Sequence, residues 1–147
     1  MTTRIFTIGF TKKSAKQFFE LLRGAGVRSI VDVRLNNVSQ LAGFSKQDDL
    51  DYFARIILDA GYRHETSLAP TKDLLKGYQS KALSWPEYEA SYRKLLVERR
   101  VESRLVPQDF ADACLLCSEP GPEQCHRRIA AEYLQLHWSD LKVSHLR

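Results

Sequence analysis

The chain has 147 residues and a formal net charge of +4, with 44% apolar and 27% charged residues. That length fits one domain of the usual ~100–200 residues, and the composition excludes a disordered, collagen-like or coiled-coil chain. No apolar run approaches the roughly 18 residues of a membrane span, and Met1-Thr2-Thr3-Arg4-Ile5-Phe6 lacks the apolar core of an export signal, so a cytoplasmic protein with no membrane contact is expected.

Thr3 to Ile8 reads as a first strand, β-branched and aromatic, ending at Gly9. Ser14 with Gln17 is a capping-box start, and Ala15, Phe18, Phe19 and Leu22 form one apolar helical stripe that stops at Gly24 and Gly26. Val27 to Arg34 reads as a second strand, apolar enough before Arg34 to be buried on both faces. Residues 35–44 read as a loop. Ser45 with Asp48 then opens a helix whose inward residues are Leu50, Phe53, Ile57 and Leu58, with Gly61 as its stop. Tyr62 to Thr66 is a short third strand, and Ala69-Pro70-Thr71 opens a short helix to about Tyr78.

Ser84-Trp85-Pro86-Glu87 combines a capping box with Pro in the first turn, a strong helix start. That helix carries Tyr88, Tyr92, Leu95 and Leu96 inward and ends before Pro107. Ala113 to Cys117 is a fourth strand, Cys125 to about Trp138 a helix, and Leu141 to Leu146 a last strand. Strands alternating with helices predict one α/β domain over residues 1–147. It should have three layers: a mostly parallel sheet of about five strands, covered by helices on both faces.

Parallel sheets bind ligands at the carboxyl ends of their strands, and three such ends carry chemistry here. Gly9-Phe10-Thr11 ends the first strand: the glycine permits close backbone approach, and Thr11 and the following helix start favour an anion. Asp32-Val33-Arg34 ends the second. There Arg34 either points its fork at a phosphate or carboxylate ligand or pairs structurally with Asp32. Cys117 ends the fourth, followed by Glu119 in a loop and by Cys125, His126 and Arg127 at a helix start that lowers a nearby thiol's pKa and attracts anions.

The three cysteines, Cys114, Cys117 and Cys125, are an odd number in a chain without an export signal, so reduced thiols are expected rather than a disulfide framework. Cys114-Leu115-Leu116-Cys117 has zinc-knuckle spacing, but strand residues three apart face opposite ways and should not share an ion. Cys117, Cys125 and His126, with or without His64, offer donors without an evident fourth ligand; no metal and no cofactor is the expectation. His64 reads as a polar residue on an edge strand, and His137 and His145 as surface groups. Arg99-Arg100 and Arg127-Arg128 read as solvated helix faces. Trp85, Tyr88 and Tyr92 at helical spacing read as core rather than as a stacking platform for bases.

Thr7-Ile8-Gly9, Val31-Asp32-Val33-Arg34 and Cys117-x-Glu119-x5-Cys125-His126-Arg127 resemble the motifs of the domain-of-unknown-function 488 family. Phe44-Ser45-Lys46 and Leu68-Ala69-Pro70-Thr71 resemble stretches that one subgroup carries between them. Many members have His-Ser where Phe10-Thr11 stands here, and Pro and Arg in the loop that here holds Asn37 and Gln40. The resemblance implies an α/β fold and a shared site; it supplies no reaction.

Three functional readings follow. In the first, the chain is an enzyme acting on a nucleotide, a nucleoside or a nucleic-acid component. Gly9, Thr11, Arg34, Cys125 and Arg127 would hold phosphate, Glu119 would act as base or nucleophile, and His126 as acid, beside Cys117. Hydrolysis or transfer on a phosphorylated or glycosidic substrate is then expected, with a small anionic ligand as partner. In the second, Cys117 is the nucleophile of a rhodanese-like thiol enzyme, against which stands the carboxylate of Glu119, since a like charge raises a thiol's pKa. In the third, the chain is a non-catalytic binding module for nucleic acid or protein.

Overall fold

Near-continuous apolar runs, whose successive side chains face opposite ways, build the sheet. The structure, a computed structural model, describes residues 2–36, 46–118 and 124–147. Its strands are β1 (Thr3–Gly9), β2 (Ser29–Asp32), β3 (Gly61–His64), β4 (Ala113–Cys117) and β5 (Leu141–His145). All pair in parallel, in the order β3-β2-β4-β1-β5. Ile5, Val31, Leu115 and Cys117 face one core, while Phe6, Ile8, Ile30, Cys114 and Leu116 face the other.

The helices divide between these two cores. α1 (Ala15–Ala25) and α2 (Gln47–Phe53) cover the Phe6 face through Phe18, Phe19, Leu22 and Leu50. α3 (Lys72–Gln79), α4 (Trp85–Arg99), α5 (Val101–Arg104) and α6 (His126–His137) cover the Ile5 face, with Tyr88, Tyr92, Leu96 and Ile129 among the buried residues. This is a three-layer α/β arrangement with an all-parallel sheet. Among the described residues no helix is long and apolar enough to cross a membrane.

Local signals hold at three helix starts. Ser14 and Gln17 cap each other, as do Ser84 and Glu87, and the Thr71 hydroxyl accepts from the Leu74 N–H. Gly26, at φ 75°, closes α1 in the left-handed conformation that glycine adopts without a Cβ penalty.

Several boundaries differ from expectation, each for a tertiary reason. β2 pairs only over Ser29–Asp32; beyond it Val33 gives one N–H to Leu116 O, and Arg34 turns back onto Asp32. α2 begins at Gln47 with Lys46 at its N-cap; Ser45 and most of the 35–44 loop lie outside the described residues. Past Phe53 the helix widens into a π-turn over Ala54–Leu58, and Asp59, left-handed at φ 52°, ends it. Gly61 is therefore the first residue of β3 instead of a helix stop. Thr66 opens a 3-10 turn, Thr66–Leu68, rather than closing β3.

Of the two arginine doublets, Arg100 is exposed as expected, but the other three arginines are not simply solvated. Arg99 donates from Nη1 to the carbonyls of Ser67 and Ala69, tying α4 to the 3-10 turn. Arg128 bridges Glu89 of α4 and Glu132 of α6, and Arg127 is fully buried. His145 is likewise no surface group: on β5 it lies half-buried, with Nδ1 2.6 Å from the Thr7 hydroxyl. Burial, and then the positive charge of Arg127, push its pKa down.

Candidate functional site

The segments leaving β1 and β2 lead to α1 and α2 on one face of the sheet, whereas β4 leads to α6 on the other. A crevice opens at the carboxyl end of a strand flanked in this way. β4 sits between β1 and β2, with Gly9 beside Cys117 and Asp32 beside Leu116. Thr11 N–H donates to Ser118 O across the same two exits.

A cleft of about 260 Å³ lies there. Arg34, Cys117, Cys125 and His126 line it together. Ser118, Gln124 and Asn36 add polar groups, and Tyr78, Trp85 and Tyr88 form an aromatic wall. Thr11 instead lines a separate basin with Lys12, Lys13 and Arg147. Gly9 ends β1 as a neighbour of Cys117. Glu119 lies outside the described residues, on the segment joining Ser118 to Gln124.

Arg34 takes the structural alternative. It is 4% exposed and grips Asp32 bidentately, Nε to Oδ1 at 2.9 Å and Nη2 to Oδ2 at 2.8 Å, while its own N–H also donates to Oδ1. Tyr62 adds its hydroxyl to Oδ2 at 2.6 Å. The guanidinium rests over the Phe10 ring, 5.3 Å from its centroid. A buried carboxylate demands such saturation. Ligand contact is therefore secondary to the role of Arg34 in holding Asp32.

Two histidines fasten the chain beyond β2. The carbonyls of Arg34 and Val33 accept from Nε2 of His64, on edge strand β3, and of His126 respectively, at 2.6 and 2.7 Å. A carbonyl only accepts, so Nε2 of His126 carries the proton and Nδ1 is left as an acceptor. Burial, reinforced by the charge of Arg127, lowers the His126 pKa to about 4 against the opposing pull of Val33 O and Asp32. The Nε2 proton, which an acid role for His126 would have to deliver, is directed at Val33 O.

Cys117 and Cys125 are bonded to each other, against the expectation of reduced thiols. β4 ends where α6 begins, and the N-cap residue of α6 is Cys125 itself, which brings two sulfurs eight residues apart in sequence together. While bonded they cannot both serve as thiolate ligands, and among the described residues no group of three or more His, Cys, Asp or Glu could hold a metal. Arg127 is fully buried and donates from Nη1 to Cys117 Sγ at 3.1 Å, behind the cleft instead of on its surface.

Cys114 lies on the opposite sheet face, as its spacing from Cys117 requires, and burial pushes its thiol pKa up. Maleimide should therefore leave the oxidised native protein unlabelled and label Cys114 alone after unfolding without reductant. Fast native labelling of Cys114 would contradict this placement.

Sequence reasoning missed the aromatic wall. Trp85 and Tyr88 stack at 5.3 Å with 23° between planes, Tyr78 meets them at 5.5 and 4.9 Å, and Tyr88 and Tyr92 continue the row to the edge of His126. Tyr88 and Tyr92 are buried as expected, but Tyr78 and Trp85 are only half-buried where α3 gives way to α4. A Tyr seven residues before a Trp at a helix start is the signal that was available.

The family model described as Domain of unknown function DUF488 matches residues 14–134. No curated protein and no solved structure matches the chain.

Proposed function

The chain belongs to the DUF488 family, whose description states no reaction, and from the cleft itself we propose that it binds the base-bearing part of a nucleoside or nucleotide and acts on that ligand. The observation that carries this reading is the half-buried pair Tyr78 and Trp85 walling a cleft whose other lining residues include Asn36 and Gln124. Aromatic faces accept a planar base by stacking, and amide side chains read its edge. At about 260 Å³ the cleft lies at the small end of ligand sites, so it suits one nucleoside unit better than a polymer.

A phosphate group on that unit would meet the amino end of α6 at Cys125, where N–H groups and the helix dipole favour an anion. Glu119 keeps the part of base or nucleophile for cleavage or transfer at the glycosidic or phosphoryl bond. With His126 neutral, Nδ1 serves as a hydrogen-bond acceptor. The rhodanese-like reading needs Cys117 as a lone nucleophile, and its sulfur is shared with Cys125.

A thermal-shift panel of nucleobases, nucleosides and nucleotides tests the reading. At least one should stabilise the protein, and Trp85→Ala should weaken its binding at least about tenfold, since base stacking contributes roughly 1–3 kcal/mol. Glu119→Gln should bind the same ligand and lose turnover. If no member of the panel shifts the transition, the nucleoside reading fails; binding without turnover leaves a binding module.

A further inference from the structure

We propose that Cys117 and Cys125 form a two-cysteine thiol–disulfide exchange centre, with Cys117 as the attacking thiol, Cys125 as the resolving one, and a small disulfide as substrate. The inference goes beyond the nucleoside reading and does not depend on it. Its ground is geometric: two bonded sulfurs open onto a ligand-sized cleft, and a fully buried guanidinium donates to one of them.

The environment distinguishes the two cysteines. Cys125 at the N-cap of α6 feels a helix dipole equivalent to roughly half a charge. Cys117 has a whole charge, Arg127 Nη1, 3.1 Å from its sulfur in a dry surrounding. The thiolate released on reduction is therefore favoured at Cys117. Cys114 takes no part, since it faces the opposite core.

The steps balance as ordinary exchange. Cys117 thiolate attacks one sulfur of R–S–S–R, the S–S bond breaks, and RS⁻ leaves with the proton that Cys117 lost. Cys125, losing its own proton, attacks Cys117 Sγ, forms the Cys117–Cys125 bond and expels the second RS⁻, which is protonated in turn. Two cysteines are oxidised by two electrons and one disulfide becomes two thiols. A dithiol in solution returns the centre to its reduced form.

The test uses the whole reduced chain and 2-hydroxyethyl disulfide, followed by mass spectrometry. Wild type should pass to the internal disulfide without a persistent adduct. Cys125→Ser should trap the adduct on Cys117, at least about tenfold faster than Cys117→Ser traps one on Cys125. Arg127→Met should slow that trapping, and Arg127→Lys should restore part of the rate. Because a buried arginine variant can fail to fold, pulse alkylation of the reduced wild type provides a second measurement, and Cys117 should be modified first. The proposal is overturned if wild type keeps adducts at either cysteine, if Cys125 reacts as fast as Cys117, or if the folded protein's bond resists a dithiol, as a purely structural bridge would.

Discussion

Arg34→Ala should lower the stability of the folded protein by about 3–5 kcal/mol, the cost of stripping one partner from a buried ion pair. Asp32 has no exposed surface, and among the described residues its carboxylate accepts four hydrogen bonds, three of them from Arg34, two from the guanidinium and one from the backbone N–H. The truncation leaves that N–H and the Tyr62 hydroxyl to hold a buried carboxylate. Replacing both charges, with Asp32→Leu and Arg34→Met, should recover part of the loss, because no uncompensated charge is then left inside. Urea unfolding of the three proteins decides it. Arg34→Ala unfolding at the wild-type midpoint would show that the pair contributes nothing. The same arithmetic makes Arg34→Ala a poor probe of ligand binding, which is why Trp85 is the better position for that test.

The second large effect is a pH dependence. His126 in the folded protein titrates near 4, and in the unfolded chain near the ordinary 6.5. Between those values the unfolded state binds the extra proton, so stability is fully present above about pH 6.5 and is lost as pH falls toward 4. The shift corresponds to about 3 kcal/mol at roughly 1.4 kcal/mol per unit. His126→Gln places an amide N–H near the position of Nε2 but does not titrate. Its stability should change less with pH across that window, so that its cost relative to wild type shrinks as the solution is acidified. Arg127 and Asp32, the charges that act on the ring, are present in both proteins, and their own pH effects largely cancel in the difference. Parallel stability curves for the two proteins would refute the assignment.

These two residues also show where reading the sequence stops. The Val31-Asp32-Val33-Arg34 run signals a charged pair at a strand exit, yet it fits a ligand fork and a structural ion pair equally well. Only the turn that folds Arg34 back on Asp32, with Tyr62 arriving from β3, selects the second. His126 is visible as a polar residue at a helix start. Its neutrality follows from burial and from the charge of Arg127, which outweigh the opposing pull of a carbonyl 93 residues away in sequence.

What the sequence determines by itself is what short-range physics determines. Capping at Ser14, Thr71 and Ser84 depends on residues three apart. The opposite facing of Cys114 and Cys117 follows from the period of a strand. The alternation of strands and helices yields a parallel α/β sheet. Tertiary structure alone decides that β4 lies between β1 and β2, which brings Cys117, Arg34 and His126 to one cleft. It alone joins Cys117 to Cys125, buries Arg127 beneath them and turns Tyr78 and Trp85 toward the opening. The physical reason is that an Arg-Arg doublet or an aromatic helix stripe has the same local pattern whether it faces water, core or a ligand site. Which surface it meets is set by strand order and helix packing, through contacts between residues far apart in the chain.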